Sequence, residues 1–129
     1  MIPLYASVLI AHLSAADSHY AVATAILLDA TPGSMLVHTV TMAEVLVGGF
    51  RVGRGAAMRD GLRAAGVGIA PHGPDEPLRL AELRAATGLK LPNCCVLDVA
   101  VHHQASLATF DVDLGAGARH RGVAVLPVI

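Results

Sequence analysis

The stretch Leu91–Asp113, LPNCCVLDVAVHHQASLATFDVD, constrains this chain more than any other. Pro92 suits the start of a helix, where the N–H that proline lacks has no carbonyl to meet. The apolar run of Cys94, Cys95, Val96, Leu97, Val99, Ala100 and Val101 predicts a largely buried helix, which His102 to Gln104 end. Ser106 to Phe110 then predicts a short buried strand, with Asp111 and Asp113 where it stops. In open parallel α/β sheets, ligands bind outside the carboxyl ends of the strands. Two carboxylates placed two residues apart at such an end are able to share a hard cation such as Mg²⁺ or Mn²⁺. For the two aspartates taken alone, a solvated acidic turn is the simpler account.

The rest of the chain alternates strands and helices. Ile2 to Tyr5 predicts a first strand running straight into a helix over Ala6 to Leu13. A second helix, capped by Asp17 or Ser18, runs to about Asp29 with Tyr20, Ala23, Ile26 and Leu27 on one face. Thr31 to Ser34 is a turn, and Met35 to Val40 a second strand. Thr41 and Glu44 have the Thr-x-x-Glu spacing of a capping box, which gives Glu44 a structural role that needs no metal. Glu44 would also stand near the carboxyl end of that strand. Further helices are predicted over Gly53 to Gly66 and Leu78 to Thr87, with a short strand at Val67 to Ala70 and a last one at Val123 to Val128. This order argues for one α/β domain, a mostly parallel central sheet with helices on both faces. Flavodoxin-like and receiver folds share the pattern, so architecture alone does not settle function.

Composition removes several classes of function. The net charge is −1, from nine basic and ten acidic residues, so no strongly basic nucleic-acid footprint is present. Any RNA contact must come from a local patch, such as Arg51, Arg54, Arg59 and Arg63, or Arg119, His120 and Arg121, and each reads equally well as a solvated helix face. Apolar runs stop well short of the ~18 residues that a membrane span needs, and the N-terminus lacks the basic start of a secretion signal. A cytoplasmic location is the resulting expectation. The two cysteines, Cys94 and Cys95, are adjacent within the predicted helix, where neighbouring side chains diverge; they read as free, buried small hydrophobes.

Four motifs, in order, resemble the PIN-domain ribonuclease toxins of the VapC type. LYASVLIAHL is similar to the opening strand of that family, VTMAEVLVG to its second motif, LPNCCVLDVA to its third and LATFDVDL to its fourth. The resemblance spans nearly the whole chain and implies a single PIN domain over residues 1–129. It also implies a ring of carboxylates at the strand ends that holds Mg²⁺ or Mn²⁺ and hydrolyses RNA phosphodiesters. By position the ring falls on Tyr5, Glu44, Asn93, Asp111 and Asp113, with Ser7 and Thr109 beside it. A VapB-like antitoxin, an RNA substrate and a homodimer are the partners implied.

Two ring positions depart from the family pattern. Tyr5 stands where the first aspartate belongs, and a neutral phenol does not replace a carboxylate on Mg²⁺. Asn93 offers a carbonyl oxygen without charge. Glu44, Asp111 and Asp113 therefore carry the remaining charge. Asp98 lies more than one helical turn beyond Asn93 and does not substitute for it. The alternative reading is a weakened or inactive PIN fold that binds antitoxin or RNA without cutting.

Overall fold

A computed structural model describes the backbone of residues 2–3 and the whole of residues 35–126. Its elements run β1 (Ile2–Pro3), β2 (Met35–Val37), α1 (Thr39–Arg51), α2 (Gly55–Ala64), β3 (Val67–Ile69), α3 (Glu76–Thr87), α4 (Leu91–His102), β4 (Leu107–Ala108), α5 (Val112–His120) and β5 (Val125–Leu126). The two helices expected between residues 6 and 29, and residues Tyr5 and Ser7, lie outside the described residues.

Every described strand pair is parallel. β1, β2 and β3 form one ladder, with Ile2 opposite Met35 and Leu36 opposite Gly68. β4 and β5 form a second, with Leu107 opposite Val125, and β1 runs beside β4. Parallel pairs require crossovers, and α1 with α2 supplies the one from β2 to β3. The expected α/β architecture with parallel strands is thus present.

α4 is the centre of the packing. Its residues from Cys94 to Ala100 are all buried, so it has no polar face and is wrapped on every side. Val96, Leu97 and Ala100 pack with Leu107, Leu114 and Val125 in one cluster. Met35, Val37, Met42, Val45, Leu62 and Val67 form a second between β2, β3 and the helices that connect them. Pro92 takes the second position of α4 and Lys90, in extended conformation, caps it. Pro77 likewise opens α3, which starts at Glu76 and not at Leu78 as the sequence suggested.

Further expectations need correction. The strand expected over Met35 to Val40 stops at Val37, and Val40 lies in α1, whose start at Thr39 turns the chain out of the sheet. Thr41 does not cap α1. The cap is His38, whose Nδ1 accepts the Val40 N–H at 3.0 Å, and Thr41 lies inside the helix, fully buried, its Oγ1 without a hydrogen-bond partner among the described residues. The strand predicted over Ser106 to Phe110 is only Leu107–Ala108, and a helix that the sequence reading did not anticipate, α5, follows it. No described helix is long and apolar enough to cross a membrane.

Candidate functional site

Once Thr41 loses the capping role, so does Glu44. It stands on the second turn of α1, exposed, with no ion pair or hydrogen bond to another described residue. Asp111 has a defined local role: its Oδ1 accepts the Leu114 N–H at 2.8 Å, capping α5. Thr109 Oγ1 accepts the Asp111 N–H at 3.0 Å and so fixes the chain as it leaves β4. Asp113 follows in the first turn of α5, where the helix dipole favours a negative charge. Asn93 is the third residue of α4, half-buried.

These four side chains line one cleft of about 420 Å³, together with Gly88, Leu89, Lys90 and Pro92. Tyr5 and Ser7 lie outside the described residues, so the arrangement concerns Glu44, Asn93, Asp111 and Asp113, with Thr109 supporting Asp111. The cleft therefore presents three carboxylates and one amide oxygen, all hard donors. Lys90, the chain's only lysine, is the cation on its wall, and among the described residues it forms no ion pair with these carboxylates. Sequence reading gave Lys90 no role at this site; its place directly before the Leu-Pro of the third motif was the available signal.

Asp98 faces elsewhere. It is buried at 3% exposure and paired to Arg79 of α3. The suggested basic patches are partly neutralised, Arg59 by Asp60 and Arg121 by Glu82. His103 Nε2 meets the Pro71 carbonyl at 3.0 Å, away from the cleft.

A second group of potential ligands does not line the cleft: His38, Glu76 and Cys95 offer ligand atoms that all lie within 4.8 Å of one another. Burial first, and then the nearby Glu76 charge, push the Cys95 thiol up to about 11. Both cysteines are free and buried, as the sequence suggested.

The PIN domain family model matches residues 5–119. Among solved structures, a toxin–antitoxin complex from Klebsiella pneumoniae is 25% identical with a TM-score of 0.76, covering 91% of this chain and 92% of that one. VapC20 of Mycobacterium tuberculosis, described as a sarcin–ricin loop cleaving toxin, is 15% identical with a TM-score of 0.74, over 90% of this chain and 94% of that one. FitAcB of Neisseria gonorrhoeae is 17% identical with a TM-score of 0.73, over 97% and 96%. No curated protein sequence matches the chain significantly.

Proposed function

The chain belongs to the PIN domain family, and from that premise we propose that it is the toxin of a toxin–antitoxin pair, an endoribonuclease that hydrolyses RNA phosphodiesters with Mg²⁺ or Mn²⁺. The observation that carries this reading is the convergence of Glu44, Asp111, Asp113 and Asn93, distant in sequence, on one open cleft. The donor chemistry fits a hard divalent ion: three carboxylates exceed the one or two that Mg²⁺ usually takes from protein, and water and substrate phosphate complete its shell. When bound, the ion supplies Lewis-acid charge for the attacking water and the pentavalent phosphate. Glu44 and Asp113 are free to hold it because neither is committed to another described side chain. Asp111 contributes through the oxygen that does not cap α5. Asn93 adds a neutral oxygen, and Lys90 offsets part of the carboxylate repulsion that an incoming phosphodiester meets.

A cytoplasmic VapB-like antitoxin is the protein partner in this reading, and a second copy of the chain the other. α1 keeps an apolar face open for such contacts: Val47 is 47% exposed and Phe50 65%, beside Ala43 and Leu46. The second reading, a PIN fold that binds without cutting, is favoured by Asn93 on the cleft wall, where the family pattern carries an aspartate.

Growth arrest on expression without antitoxin separates the two. Arrest that disappears in Asp111→Asn means catalysis, and arrest that survives means binding. Single-turnover cleavage of a structured RNA mixture by this chain and by the double variant Tyr5→Asp, Asn93→Asp completes the test. The ring reading demands a gain of at least ~10-fold, about 1.4 kcal/mol in the barrier; equal rates would remove Tyr5 and Asn93 from the ring.

A further inference from the structure

Three side chains able to ligate a metal meet, with His72 beside them, at a place that does not line the acidic cleft. His38 follows β2, His72 lies in the loop after β3, Glu76 opens α3 and Cys95 sits in the second turn of α4. His38 Nε2 lies 2.9 Å from Glu76 Oε1, a ligand atom from each of His38, Glu76 and Cys95 lies within 4.8 Å of the other two, and His38 and Cys95 are each 4% exposed. His72 Nδ1 stands 2.6 Å from Glu76 Oε2, and its ring stacks on His38 with centroids 5.4 Å apart. Glu76 is only 9% exposed, and its Oε2 makes no hydrogen bond although it faces the His72 ring nitrogen. A nearly buried carboxylate set between two imidazoles and a thiol calls for an explanation.

We propose that Cys95, His38 and Glu76, with His72 closing the exposed side, form a binding site for a zinc-class divalent ion. Thiolate and imidazole are the donors that select such an ion, whereas the all-oxygen acidic cleft selects Mg²⁺ or Mn²⁺. The charges also close: one divalent ion, one thiolate, one carboxylate and two neutral imidazoles sum to zero, which a buried site tolerates and an uncompensated carboxylate does not. Zinc–ligand bonds of about 2.0–2.3 Å need only a modest closure from the spacing present, and the exposed His72 loop is the side that can move.

The protons balance in a specific way. The Val40 N–H points at His38 Nδ1, so without an ion the ring proton is on Nε2, donated to Glu76 Oε1 at 2.9 Å. On binding, that proton moves to Nδ1, the thiol proton of Cys95 leaves to solvent, and one proton is released per ion. The Val40 N–H then loses its acceptor. Occupancy of the site is thereby reported by the first turn of α1, a signature that surface binding does not produce.

The test is titration of the chelator-treated chain with Co²⁺, followed by Zn²⁺ displacement. We expect one tight Co²⁺ per chain with a thiolate charge-transfer band, displaced by Zn²⁺ and indifferent to Mg²⁺, and faster amide exchange at Val40 when Zn²⁺ is bound. Cys95→Ser abolishes the band and Cys94→Ser keeps it. His72→Ala, on an exposed loop, weakens Co²⁺ binding at least tenfold and holds the test if Cys95→Ser does not fold. Asp111→Asn leaves the band and affinity unchanged, and Glu44→Gln, which removes a charge that reaches the Cys95 thiol, keeps the band. Absence of a thiolate band, a band that survives Cys95→Ser, or an affinity indifferent to His72→Ala and sensitive to Asp111→Asn overturns the proposal.

Discussion

Arg79 of α3 clasps Asp98 of α4 through two hydrogen bonds, Nε to Oδ1 at 2.9 Å and Nη2 to Oδ2 at 3.2 Å. Nη2 also donates to the His72 carbonyl at 2.7 Å, so one guanidinium ties α3, α4 and the loop after β3 together. Paired guanidinium and carboxylate fix orientation as well as distance. Asn93, on the wall of the acidic cleft, and Cys95, in the His38–Glu76 cluster, therefore ride on a helix whose placement Arg79 secures.

The two partners are not equivalent under mutation. Arg79→Ala leaves the buried Asp98 charge unpaired, whereas Asp98→Asn leaves a partly exposed guanidinium that water reaches. Arg79→Ala should therefore lower the urea midpoint clearly more than Asp98→Asn, at unchanged slope. The opposite order would mean that the pair contributes packing rather than charge compensation.

Two glycines should respond with opposite sign. Gly61 lies within α2, and a Cβ there meets nothing within 4 Å, so Gly61→Ala should stabilise the fold by about 1 kcal/mol. Gly88 ends α3 at φ 70° in the left-handed region, also with open space around it, so Gly88→Ala should cost about 1–2 kcal/mol from backbone conformation alone. Thermal melts of the two variants check both.

The legibility of the chain follows the range over which each signal acts. Pro92 and the apolar run after it, interrupted only by Asp98 once Asn93 is passed, are local, and they marked α4 to within a residue. His38 was missed as a cap because serine, threonine and aspartate are the usual caps and Thr41 with Glu44 offered a better local pattern. α5 was missed because Gly115 and Gly117 weaken a helical reading, and its capping Asp111 looked like a strand end. Asp111, Asp113 and Glu44 stood out at strand ends, Asn93 only through motif resemblance, and only the fold brings the four to one cleft. His38, Glu76 and Cys95 carry no short spacing at all. Of that cluster, only the i,i+4 pair His72 and Glu76 was within reach of the sequence.

The Cys95 thiol gives stability a pH dependence of fixed sign. Burial raises its folded value from 9.0 to about 11, with the Glu76 charge adding to the effect, so the folded chain holds this proton more tightly than the unfolded chain. The contribution is fully present below pH 9 and is lost as pH rises through the window up to about 11. In chelator, the urea midpoint should fall across that window, and Cys95→Ala should fall less steeply. Equal slopes would mean that the thiol is not desolvated as the packing implies. Native Cys95 should also resist alkylation at pH 8, since the reactive thiolate is scarce there.

Asp111 joins structure to chemistry, and two substitutions separate its roles. Asparagine caps a helix about as well as aspartate, whereas alanine forfeits the bond from the Leu114 N–H. Asp111→Ala should cost about 1 kcal/mol of stability and Asp111→Asn only a few tenths. Thr109→Val, which removes the acceptor for the Asp111 N–H, should cost about 1 kcal/mol without touching the carboxylate. If the carboxylate acts in cleavage, Asp111→Asn and Asp111→Ala should lose RNA cleavage alike, by at least about tenfold, while Thr109→Val retains most of it. Cleavage that instead follows the melting temperatures, with Asp111→Asn active and Asp111→Ala not, would assign Asp111 to the cap of α5 alone and leave Glu44 and Asp113 as the charge of the cleft.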